Sequence, residues 1–189
     1  MFSSPSSHPV SLPFEVIIFR HWKEIDRLSN TAKLIEQELK PVRMINYGID
    51  DVNSLCFDPH TSLLLYPPEQ ARESAIELPQ VKTLILVDGT WKQVRKMMGR
   101  IPHLRELQRL SVSAQTPPYP RLRTPSVQGG LSTVEAMGSA LRQFGLIEAE
   151  NRLREANWQC LDRLRLLSGI RHPLEPGLSF TDLRKLDPF

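Results

Sequence analysis

Cysteine is scarce: the 189 residues carry two, Cys56 and Cys160, far apart. Two distant thiols exclude a disulfide framework and a cysteine-based zinc site, and they suit a reducing cytoplasm. Long apolar runs are missing too. None reaches the roughly 18 residues that a spanning helix needs, so no membrane partner is expected. No internal repeat divides the chain. No GxGxxG, no GxxxxGK(S/T) and no serine nucleophile elbow occurs, which removes a dinucleotide fingerprint and a P-loop. Of the five histidines, His21 stands three residues from Glu24 with no further ligand, and His8, His60, His103 and His172 are scattered. That spacing holds no metal, and none is expected.

What is present is a soluble, single-core composition, with 40% hydrophobic and 24% charged residues. The net charge of +3 is mild, but its distribution is not. Residues 1–91 hold 8 Lys/Arg against 12 Asp/Glu, and residues 124–189 hold 8 of each. Residues 92–123 hold 8 basic residues (Lys92, Arg95, Lys96, Arg100, Arg105, Arg109, Arg121 and Arg123) against Glu106 alone. A basic block of this kind marks either a polyanion-facing surface, most often for nucleic acid, or a solvated face.

Continuous β-branched and apolar runs predict buried strands at 14–20 (FEVIIFR), 42–47, 62–66 (SLLLY) and 81–87 (VKTLILV), with a weaker one at 109–113. Asn30 caps an expected helix over 31–39 that Pro41 stops. A helix from Trp91 ends at Gly99, and two more cover 132–144 and 148–167. In the last, Leu153, Ala156, Cys160, Leu164 and Leu167 form an apolar stripe near helical period. Strands alternating with helices predict an α/β fold with a mostly parallel sheet and flanking helices. Residues 1–13, whose first nine are Ser/Pro-rich without a basic or apolar stretch, read as a disordered tail. Residues 14–170 read as one domain and 171–189 as an irregular tail.

Three stretches carry chemistry. In Asp88-Gly89-Thr90-Trp91, the best strand meets a helix whose Thr90 and Gln93 have capping-box spacing. Asp88 then lies at the carboxyl end of a central strand, where α/β sheets bind ligands; alternatively it is a turn residue satisfying loop amides, which spacing alone favours. Tyr119-Pro120-Arg121-Leu122-Arg123 sets two guanidiniums on one side of an extended segment, suited to phosphate or carboxylate, or simply solvated. In Gly129-Gly130-Leu131-Ser132-Thr133-Val134-Glu135-Ala136, Ser132 and Glu135 again fit a capping box, and the helix start offers amides to an anion.

Together these stretches resemble the DTW-domain family, the tRNA-uridine aminocarboxypropyltransferases. The family's Asp-x-Thr-Trp stands here as Asp88 to Trp91, and its Leu-Ser-Thr-x-Glu-Ala as Leu131 to Ala136. Arg20-His21-Trp22-Lys23-Glu24, Asn30-Thr31-Ala32-Lys33-Leu34 and Leu65-Tyr66-Pro67 look like its first unit and second loop. Many members carry an N-terminal cysteine cluster that this chain lacks, and relatives often place Arg directly after Tyr where Pro120 stands.

The resemblance implies transfer of the 3-amino-3-carboxypropyl group of S-adenosylmethionine to N3 of a tRNA uridine, on a SPOUT-like fold with a C-terminal knot. Asp88 is the candidate general base; the following helix N-terminus would stabilise its anion and lower its basicity, so it would either need partial desolvation by bound substrate or mainly orient the uracil. Leu65, Tyr66, Pro67, Leu110 and Ser111 would frame the donor's adenosine beside Thr90 and Trp91. Arg121, or the start of the helix at Leu131, Ser132, Thr133 and Glu135, would take the donor's carboxylate. Lys92, Arg95, Lys96 and Arg100 would face tRNA phosphates, with Arg20, His21 and Arg123 as additions. The alternatives are an RNA methyltransferase of the same knotted class and a non-catalytic RNA-binding module. The oligomeric state is left open.

Overall fold

The computed structural model describes residues 8–27, 30–66, 80–101, 103–112, 121, 130–175, 179 and 182. The first strand, β1 (Val10–His21), contains the expected FEVIIFR run and begins ahead of it. Pro13 thus lies inside the strand, between Ser11 and Val16, where the pairing with β2 (Leu39–Tyr47) shifts register. An irregular stretch of ladder tolerates its missing N–H. With β3 (Ser62–Tyr66), β4 (Thr83–Asp88) and β5 (Gln108–Ser111), these strands form a sheet of order β2-β1-β4-β3-β5. Every pairing in it is parallel, so the expected α/β architecture is the one that forms.

Both faces of the sheet are covered, which is why its strands read as unbroken apolar runs. On one face Val16 and Ile18 of β1 pack with α1 (Ala32–Glu38), α4 (Thr133–Gln143) and α5 (Ile147–Leu167). On the other, Ile17 and Phe19 pack with α2 (Trp91–Arg100) and α3 (His103–Glu106). Full burial of each such Ile, Leu or Phe contributes about 1.5–3 kcal/mol.

Four local expectations are corrected. Pro41 does not stop α1: the chain leaves the helix at Glu38 and enters β2 at Leu39, with Pro41 inside that edge strand, where a missing N–H is tolerated. Asn30 is not the N-cap residue, which is Thr31; its Oδ1 nevertheless accepts from the Ala32 N–H at 3.0 Å. Gly99 does not end α2, which runs to Arg100. Its final carbonyls are held instead by Arg105, from α3, whose guanidinium donates to Met98 O at 3.0 Å and Gly99 O at 2.5 Å. The α5 stripe is out of phase beyond Leu153. The buried positions are Ala149, Glu150, Leu153, Asn157 and Leu161, while Leu167 is 85% exposed. Packing on α1 and α4 sets that phase, and it buries Glu150 because Arg142 meets it at 2.7 Å. The expected C-terminal knot turns on the path between β5 and α4, most of which, 113–120 and 122–129, lies outside the described residues.

Candidate active site

Because all five strands are parallel, His21, Tyr47, Tyr66, Asp88 and Ser111 end at the same edge of the sheet. The chain leaves β1 through α1 on one face and leaves β4 through α2 on the other. The crevice between β1 and β4 is therefore a topological switch point, where open α/β sheets bind ligands.

Asp88 stands at the carboxyl end of β4 in this crevice and is buried. Its Oδ1 lies 2.5 Å from the Thr133 hydroxyl at the start of α4, and its Oδ2 accepts from Asn30 Nδ2 at 2.8 Å. The amide of Asn30 cannot flip, because its Oδ1 takes the Ala32 N–H and its Nδ2 also donates to the Glu24 carbonyl at 3.0 Å. Burial pushes the Asp88 carboxyl above the usual carboxylate range; the bonds from Thr133 and Asn30 act the other way without prevailing, as does the more remote Arg20. This reverses the expectation of a weakened base. Asp88 precedes the N-cap of α2 by two residues, and burial is the leading influence on its carboxyl.

Arg20 lies in register with both Asn46 and Asp88. Its buried guanidinium donates twice to Asn46 Oδ1, at 3.1 and 2.7 Å. His21 is buried as well and caps the short 3-10 turn Trp22–Glu24, its Nδ1 accepting from the Lys23 N–H at 3.2 Å. Burial lowers its pKa, with Glu24 opposing and Lys23 and Lys96 reinforcing the shift. The neutral ring keeps its proton on Nε2. Buried Glu24 meets Arg27 at 3.2 Å.

Both helix starts form the capping boxes read from spacing. Thr90 and Gln93 bond reciprocally, with Thr90 N–H to Gln93 Oε1 at 2.6 Å. Gly89 makes room for that return: a Cβ there would stand 3.1 Å from Gln93 Oε1. At α4, Glu135 accepts from the Ser132 N–H at 2.8 Å and from Arg121 Nε at 2.7 Å. Arg121 is thereby anchored beside the start of α4, paired with a buried carboxylate of the protein itself.

The remaining expected residues divide. Leu65 and Leu110 are paired and buried in the core, as is Tyr66, whose ring carries the Arg109 guanidinium at 5.0 Å; Ser111 pairs with Tyr66 and is partly exposed. Leu131 packs partly buried against the core beside Thr133, and Trp91 is half-buried at the start of α2. Along α2, Val94, Met97 and Met98 face the sheet, while Lys92, Arg95, Lys96 and Arg100 are exposed together. Pro67 and Arg123 lie outside the described residues. Among the described residues, no group of three His, Cys, Asp or Glu is placed to hold a metal, and no helix is long and apolar enough to cross a membrane.

The site thus joins two stretches that spacing left separate, with a hydroxyl from the Leu131–Ala136 block on the carboxylate that opens the Asp88–Trp91 block. The DTW domain matches residues 4–164. The chain belongs to the DTW-domain family. It is 28% identical over 162 residues to tRNA-uridine aminocarboxypropyltransferase 2 of Drosophila melanogaster, a match that covers 78% of this chain and 61% of the relative. The match therefore spans a little under two thirds of that relative's length. No solved structure matches it. Within this DTW domain, the sequence offered Asn30 only as a helix cap and not as a partner of Asp88, and it did not single out Asn46. Asn30 stood in a stretch resembling the family, which was a usable signal; nothing in the spacing pointed to Asn46.

Proposed function

We propose that this DTW protein transfers the 3-amino-3-carboxypropyl group of S-adenosylmethionine to N3 of a tRNA uridine. The observation that carries the reading is the contact between buried Asp88 and the Thr133 hydroxyl, which ties both family blocks into one site at the switch point. Uracil N3 holds a proton and becomes a nucleophile only when that proton leaves. Asp88, its affinity for a proton raised by burial, is the base that takes it. Asn30, unable to flip, and Thr133 hold the two carboxylate oxygens in place. N3 then bonds to the donor's γ-carbon, the carbon–sulfur bond breaks, and its electron pair stays on sulfur to leave neutral methylthioadenosine. Positioning dominates such an in-line step.

The donor's carboxylate would meet the α4 start and Arg121, provided the Arg121 guanidinium shares its Glu135 partner. The ends of β3 and β5, which Tyr66 and Ser111 close, would frame the adenosine, and a SPOUT-like knot between β5 and α4 would complete that side. The exposed cations of α2 would face tRNA phosphates. Arg20 and His21 are assigned to the crevice, since one is buried against Asn46 and the other is held neutral. The free thiols Cys56 and Cys160 fit a cytoplasmic site of action.

Nucleoside mass spectrometry of tRNA incubated with protein and donor tests this reading. Wild type is expected to yield 3-(3-amino-3-carboxypropyl)uridine and methylthioadenosine. Asp88→Asn is expected to lose about 100- to 10,000-fold in rate. An undiminished rate removes Asp88 as the base, and S-adenosylhomocysteine as by-product replaces the transferase with a methyltransferase.

A further inference from the structure

Trp22 takes no part in the chemistry above, yet it stands at the edge where the crevice opens. It follows β1 directly and is 47% exposed, although a tryptophan ordinarily buries most of its ring. The indole is seated against the protein. A Cβ on Gly48, whose φ is +95°, would come within 2.6 Å of Trp22 Cδ1. The His21 ring stacks on it with centroids 6.1 Å apart and 23° between planes, and Tyr47 backs His21 at 6.0 Å. The Lys23 ammonium lies over the indole, 5.2 Å from its centroid, a flexible cation that a base seated on that face would displace toward the adjoining phosphate. The turn into α2 runs beside His21, since a Cβ on Gly89 would stand 3.6 Å from His21 Cβ, and Lys96 lies on the exposed face of that helix. A half-exposed, immobilised ring that carries a displaceable cation is what an unpaired nucleotide recognises: a π-face for its base and positive charge for its phosphate.

We propose that Trp22 is a stacking platform for an unpaired base of the RNA substrate, with Lys23 and Lys96 meeting the adjoining phosphates. The inference rests on the RNA reading above and adds a selectivity to it, for a looped-out or single-stranded nucleotide over a duplex. Base–aromatic stacking has little sequence preference, so this contact orders the strand at the site without selecting the target by itself.

Titration with a short oligouridylate, and with a duplex of the same length, tests the platform through indole fluorescence. Trp22→Phe separates the signal of Trp22 from those of Trp91 and Trp158. The oligouridylate is expected to quench wild type in a component missing from Trp22→Phe, while the duplex does not. Trp22→Ala is expected to weaken oligouridylate binding and raise KM for tRNA about ten- to a hundredfold, with Trp22→Phe retaining most of both. Trp22→Leu keeps apolar bulk without a π-face and is expected to behave as Trp22→Ala does. Unchanged binding in Trp22→Ala, retention in Trp22→Leu equal to that in Trp22→Phe, or equal quenching by the duplex overturns the platform. Modification of tRNA with an unchanged KM in Trp22→Ala removes the platform and leaves the transferase standing. Quenching without any aminocarboxypropyl product removes the transferase and leaves the platform, and a wild type that binds no RNA removes both.

Discussion

Asp88 is subject to two opposed influences. Donors on both of its oxygens favour the carboxylate, while burial disfavours it and prevails. The folded chain therefore holds the Asp88 proton more tightly than the unfolded chain does. The stability this contributes is complete below the ordinary carboxylate pKa, near 4, and is lost as pH rises through the raised folded value. Asp88→Asn cannot ionise, and its amide still accepts from Asn30 and donates to Thr133. It is expected to melt above wild type at pH 8, with the gap closing toward pH 4; a variant that melts below wild type at pH 8 contradicts this. Asn30→Ala removes a bond to the ionised form, so the acidic limb of the pH–rate profile is expected to move to higher pH. An acid limb at the wild-type position shows that Asn30 does not tune Asp88. Neither effect is legible locally, because residues 30 and 133 reach residue 88 only through the fold.

At the scale of elements, the starts of α2 and α4 were written in the chain. Thr90 with Gln93 and Ser132 with Glu135 are contacts three residues apart, and both capping boxes form as spacing predicts. Ser132→Ala is expected to cost about 1 kcal/mol in denaturant unfolding. Because Thr133 follows the cap directly, the same variant is expected to lower kcat, and an unchanged kcat would show that Thr133 needs no cap to hold Asp88. Gly48→Ala combines left-handed backbone with a methyl pressed on the Trp22 indole. Its expected cost is about 1–3 kcal/mol, and a loss below a few tenths would mean that the indole swings away freely. Helix ends were harder to read. Arg105 secures the end of α2 from the neighbouring helix, a partner beyond the reach of glycine spacing. The phase of α5 likewise came from what it packs on, since half-apolar positions on a long polar helix admit more than one buried face.

Across the whole molecule, the basic block resolves into distinct roles. Arg105 closes α2, Arg109 lies over Tyr66 and Arg121 pairs with Glu135, while Lys92, Arg95, Lys96 and Arg100 form one exposed face. Charge reversal at Lys92 and Arg95 is expected to weaken tRNA binding and to reduce the slope of log affinity against log salt by about one per lost phosphate contact. An unchanged slope would place the RNA on another surface. The strand runs, the parallel α/β architecture, both capping boxes and the position of Asp88 at a strand end followed from the sequence by itself. Each depends on hydrophobic periodicity or on hydrogen bonds spanning three or four residues. The proton affinity of Asp88, the partners of Arg20 and Arg121, the buried face of α5 and the half-exposed seat of Trp22 were decided only by tertiary structure. Desolvation and ion pairing depend on what covers a group, and here the cover comes from segments far away along the chain.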